Sequence, residues 1–208
     1  SSAASDVYKR QVLIQLMSKN PINIKKLAVI GCSGLVGSSI VRCALEKGYE
    51  VNGTMRNIED STKINYLKKL KNFEKLNLFK AEMSNENDFN FCLQDISTLF
   101  IACLVPTYKG FDGTLAKELD DKRGYNEIIN PTVNGCINIL KSAKKLDVKN
   151  VVICSSTSST NPIPPVPIKN EIDHWSDEIE QCKSKKYTSA TKTIMEKAAI
   201  KFCNDNNI

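Results

Sequence analysis

The sequence predicts an α/β fold, a doubly wound parallel sheet with helices on both faces, and three observations carry that prediction. Short apolar runs alternate with segments of helical period along most of the chain. One run, Leu99-Phe100-Ile101-Ala102-Cys103-Leu104, is apolar at every position, as a strand covered on both faces must be. Another, Lys26-Leu27-Ala28-Val29-Ile30, enters a glycine-spaced turn, Gly31-Cys32-Ser33-Gly34-Leu35-Val36-Gly37, that opens a helical pattern.

In order, the run at 26–30 is the first strand, followed by a helix on Leu35, Val36, Ile40, Val41 and Leu45 that Gly48 stops. Residues 49–55 form a second strand. A basic amphipathic helix over 63–71 reads as a solvated face, because only Tyr66 interleaves with its lysines as a stacking partner. The third strand lies at 76–79, a short helix at 89–93, and the fourth strand at 99–104. After a loop over 105–124, a long helix spans 124–145, its pattern unbroken by Pro131 and Gly135. The fifth strand, 148–154, ends in the hydroxyl run Ser155-Ser156-Thr157-Ser158-Ser159-Thr160. The Pro-rich stretch 161–167 excludes regular structure; a polar stretch from Trp175 and a helix over 188–204 follow.

Composition narrows the function. The 208 residues are 41% hydrophobic and 25% charged, an ordinary globular balance that suits one main core. The net charge of +6 is dispersed, so no nucleic-acid partner is expected; no apolar run is long enough to span a membrane. The eight cysteines never form a CxxC pair and mostly sit in apolar patterns, which predicts buried thiols and a reducing, cytoplasmic location. With His174 the single histidine, read as a surface residue, no metal site is expected. The first eleven residues resemble a translated sequencing adapter. Residues 1–16 are therefore set aside as a non-native or disordered leader, leaving 25–208 as the folded domain.

The turn after the first strand carries the chemistry. Gly31 permits a tight turn, Gly34 lets a pyrophosphate approach the backbone, and Gly37 lets the helix pack on the sheet. No Gly-Lys-Ser/Thr follows, which disfavours a Walker-type nucleotide site. Ser33, Leu35 and Val36 lie in the same turn and join the glycines as cofactor-binding candidates. Beyond the second strand, where an NAD site places an acid for the ribose diol, the chain has Arg56. A guanidinium pairs with a 2′-phosphate through two hydrogen bonds, so NADP is expected over NAD.

With these residues placed, the chain resembles the extended short-chain dehydrogenase/reductases, in the branch of the dihydroflavonol and cinnamoyl-CoA reductases. The resemblance runs over residues 26–204 and rests on several segments. They are the glycine turn, Arg56, the run 99–106, the helix Asn126-Glu127-Ile128-Ile129-Asn130-Pro131-Thr132-Val133-Asn134-Gly135, the strand into Thr157, and Lys192-Thr193-Ile194-Met195-Glu196. It implies a Rossmann-type domain that binds NADP, a small-molecule carbonyl substrate, and hydride transfer between nicotinamide and carbonyl. It also implies cofactor contacts at Glu82, Cys103 and Lys192, and a homodimer through the helices over 124–145 and 188–204. The family's substrate domain follows a sixth strand, which leads us to expect that this chain is a fragment lacking that domain.

The family's catalytic trio is a serine on the carbonyl oxygen, a tyrosine acid and a lysine four residues later; it falls on Ser156, Tyr187 and Lys192. The tyrosine is out of register. Thr188 stands four residues before Lys192 and Tyr187 five. Five residues of regular helix turn through about 500°, leaving Tyr187 roughly 140° from Lys192. Two readings follow: a helix starting at or after residue 188, with Tyr187 facing inward, or a non-catalytic dinucleotide-binding or interaction protein of the same fold.

Overall fold

A computed structural model describes residues 26–208; the leader expected over 1–16 lies outside the described residues. Strands β1 (Lys26–Ile30), β2 (Glu50–Met55), β3 (Leu76–Lys80), β4 (Thr98–Ile101) and β5 (Asn150–Ile153) form one sheet in the order β3-β2-β1-β4-β5. Every pairing is parallel. The sheet is the predicted doubly wound, Rossmann-type one, with β1 at its centre.

Alternation along β1 builds a core on each face. Leu27 and Val29 pack with Val41, Ala44 and Leu45 of helix α1 (Leu35–Glu46) and with Leu67 of helix α2 (Ser61–Lys68). Ala28 and Ile30 point the other way. They join Cys136, Ile139 and Leu140, together with Met195, Ala199 and Cys203. In β2 the buried Asn52 gives its amide to the Cys92 carbonyl at 2.8 Å and accepts from Asn77 at 3.3 Å, so its burial leaves no polar group unmatched.

Several boundaries differ from the sequence reading. The fourth strand ends at Ile101, because past Ala102 the chain leaves the ladder and turns toward the loop. The short helix is a 3₁₀ turn at Glu86–Phe89. The long helix is three consecutive pieces: one α-turn, α3 (Asp121–Arg123), a π-helix over Gly124–Ile129, and α4 (Asn130–Lys145) with Pro131 in its first turn. A proline has no N–H to donate, and the change of winding just before it is where a missing bond is accommodated. An additional helix, α5 (Glu178–Lys183), is capped by Asp177, whose carboxylate accepts from the N–H groups of Ile179 and Glu180. The last helix, α6, covers Tyr187–Asn206, so Tyr187 is its first residue.

Candidate cofactor cleft

The strand order reverses at β1, which has β2 on one side and β4 on the other. Connections leaving in opposite senses open a crevice at the C-terminal ends of these strands. A cleft of about 1370 Å³ lies there.

The glycine turn forms one wall. Gly31 has φ +83°, and a Cβ on it would lie 2.6 Å from Cys103 Cβ. Its N–H donates to the carbonyl and hydroxyl of Thr54 at 3.1 and 3.3 Å, tying the turn to β2. A Cβ on Gly37 would come within 2.1 Å of the Gly31 carbonyl oxygen, so this glycine serves packing beneath the turn and is not a wall of the cleft. Gly34 differs: a Cβ there would meet only the Gly31 oxygen, at 3.5 Å. The space above it is free for a ligand. No side chain caps α1 and no acid sits in its first turn, so the positive end of the helix opens onto the cleft.

Ser33, Leu35 and Val36 line the same wall; Arg56, Glu82 and Cys103 line the rest. Among the other cations there, Lys63 pairs with Asp60 and Lys141 with Glu86, both at 3.3 Å. Arg56 is exposed and makes no hydrogen bond or ion pair with any described residue. The residues therefore fit a group with a phosphate over the glycine turn and a second anion near Arg56. Burial pushes the Cys103 thiol up to about 12, which disfavours the thiolate near neutrality.

Lys192 reaches the end of the fifth strand, and Ser156 follows that strand in the chain. The buried Lys192 ammonium donates to the carbonyl of Leu104 and, at 3.2 Å, to that of Cys154. Burial lowers its pKa, against the pull of Cys154, Cys136, Cys103 and Glu196. Ser156 lies two residues past Cys154. Its Oγ accepts from the N–H and the hydroxyl of Ser158 at 3.2 and 3.0 Å, which leaves its own proton to give. Lys192 is not among the residues that line this cleft; its head is held by the two strand-end carbonyls.

Tyr187 does not join them, against the expected convergence of Ser156, Tyr187 and Lys192. It begins a regular helix and is fully buried, and its phenol donates to Asp121 Oδ1 at 2.7 Å. The ring lies against Gly124, where a Cβ would sit 2.5 Å from two ring atoms. Leu119, Ile128, Cys182 and Ala190 complete this satellite core. Burial and the Asp121 carboxylate raise the phenol's pKa, opposite to what a proton donor near neutrality requires. Sequence reasoning also missed Thr54 and the buried carboxylate Glu196. The signal for Glu196 was its place one helical turn after Lys192.

A parallel sheet whose strand order reverses beside an uncapped glycine turn belongs to the Rossmann-type class of nucleotide-binding folds. Within that class, the chain belongs to the 3-beta hydroxysteroid dehydrogenase/isomerase family, which it matches over residues 28–208. It is 33% identical over 191 residues to the bifunctional dihydroflavonol 4-reductase/flavanone 4-reductase of Malus domestica, covering 88% of this chain and 51% of that protein. Vestitone reductase from alfalfa has a similar structure, at TM-score 0.61 and 28% identity, with 88% of this chain and 54% of that one covered. The yeast methylglyoxal/isovaleraldehyde reductase complexed with NADPH matches at TM-score 0.69 and 23% identity over 88% and 54%. The chain thus spans about half the length of the relatives it matches.

Proposed function

We propose that this chain is the cofactor-binding part of an NADP-dependent reductase of a ketone or aldehyde. One observation carries the reading: the open space over Gly34, at the uncapped end of α1, shares a cleft with the unpaired Arg56. Gly34 and the first turn of α1 would hold a pyrophosphate, and Arg56 a 2′-phosphate. Bound there, the dinucleotide supplies the hydride. Ser156 would donate its free proton as a hydrogen bond to the carbonyl oxygen, beside the Lys192 ammonium at the same strand end. The names of the relatives support the reaction class, and the NADPH held by the yeast reductase supports the cofactor. The eight free thiols support a reducing, cytoplasmic location.

Fluorescence titration with NADPH and NADH tests the cofactor. The protein should prefer NADPH, and Arg56→Ala should weaken NADPH binding on the order of tenfold while barely changing NADH, as loss of a charge-assisted pair predicts. An unchanged ratio overturns the assignment. The reading includes a homodimer through the helices over 124–145 and 188–204; a monomeric mass by light scattering overturns that part.

The position of Tyr187 favours a second reading, a dinucleotide-binding protein without reductase activity, since the phenol that would donate the proton is committed to Asp121. Assaying NADPH oxidation against a panel of aldehydes and ketones separates the two.

A further inference from the structure

Glu196 is a carboxylate with only 2% of its surface exposed, on α6 one turn beyond Lys192, and neither the cofactor cleft nor the ion pairs account for it. Its Oε2 accepts from the hydroxyl of Ser155 and from that of Ser159, the latter at 2.7 Å. These two serines bracket the turn that carries Ser156. Ser159 Oγ lies equally close, 2.7 Å, to the Ser156 carbonyl oxygen, and its single proton is shared between the two acceptors, with the charged one favoured. A second brace reaches the same turn from α6. Thr193 donates to Gln181 Oε1 at 2.9 Å, and the Gln181 amide donates to the Ser158 carbonyl at 2.9 Å. Ser176 Oγ adds a bond to that carbonyl at 2.6 Å.

A buried carboxylate is costly unless its hydrogen bonds are made, so a structure that keeps one here holds its partners tightly. The partners are a serine just before and a serine at the end of the 3₁₀ turn Thr157–Ser159. We infer that Glu196 is a positioning residue that clamps Ser155 and Ser159 and so fixes where Ser156 presents its hydroxyl. The inference rests on the role of Ser156 given under the proposed function. Glu196 touches neither substrate nor cofactor in this role; it acts through the turn.

The test compares Glu196→Ala with Glu196→Gln, whose amide oxygen can still accept both hydroxyls, and with Ser159→Ala. Amide hydrogen exchange is the first readout. In Glu196→Ala the amides of Ser158, Ser159 and Thr160 should exchange on the order of tenfold faster, while the Cys154 amide, bonded to Ile101 at 3.0 Å within the sheet, stays protected. Glu196→Gln should restore the protection. In steady-state NADPH oxidation against the carbonyl panel, Glu196→Ala and Ser159→Ala should lower kcat on the order of tenfold, with NADPH affinity and KM unchanged, as misplacement of a positioned group does. Unchanged exchange at 158–160 overturns the clamp. Faster exchange there with unchanged kcat overturns its role in positioning. If Glu196→Ala does not fold, exchange and kcat in Ser159→Ala decide the question. A wild-type protein that reduces no carbonyl overturns the reductase reading and not the clamp, which the exchange data decide alone.

Discussion

Tyr187 shows how one residue of register separates two fates for a side chain. At five residues from Lys192 on a regular helix it must face away from it, and the structure gives it a closed pocket and an acceptor there. Tyr187→Phe should therefore cost stability of about 1 kcal/mol, the worth of one hydrogen bond, while NADPH binding and any turnover persist. Urea unfolding and NADPH oxidation measure the two. Turnover lost at unchanged stability would return the phenol to the chemistry. Arg56 was legible from sequence alone, because a cation just past the second strand needs only strand position to be placed. The pairing of Tyr187 with Asp121 was not, since the partners lie 66 residues apart and no periodicity links them.

At the scale of elements, the strands were the most legible. β1 runs over Lys26–Ile30 as its apolar run and the following glycine indicate, and β2, β3 and β5 shift by a residue or two at their ends. Helices whose faces are not apolar were less so: α5 is set by the Asp177 cap in a polar stretch, a signal too local to stand out. The π-helix was not legible: Pro131 marks where the winding changes but not into what, and the packing of the segment is tertiary. It carries Gly124, whose missing side chain makes room for the Tyr187 ring. Gly124→Ala should destabilise by about 1–3 kcal/mol through overpacking. Tyr187→Leu in the same background should recover part of that loss, so a double-mutant cycle by urea unfolding should give a clear coupling energy. Strictly additive effects would show that the two do not share the space.

For the whole molecule, the core sets an alkaline limit. Burial pushes the thiols of Cys32, Cys92, Cys103 and Cys136 from 9.0 up to about 12. A raised folded pKa contributes stability that is complete below the unfolded value and lost as pH rises through the folded one. The window is thus pH 9 to about 12. Each thiol removes about 1.4 kcal/mol per pH unit there, so urea unfolding at pH 10 should show a loss on the order of 5 kcal/mol relative to pH 8. Lys192, pushed down by burial, works in the opposite sense as it loses its proton. Cys136→Ala should make the slope shallower by about a quarter; a flat profile between pH 8 and 10 would show that these thiols titrate as they do in water.

The ammonium of Lys192 touches β4 and β5 just past the points where their ladder stops, bonding the carbonyls of Leu104 and Cys154. It works there as a keystone: beyond the last ladder bond, from the Cys154 N–H to Ile101, the two chain segments are joined by a cation delivered from a helix. One turn along that helix, Glu196 grips the hydroxyl turn that follows β5. The ends of two neighbouring strands and the serine turn are thus all held from a single turn of α6.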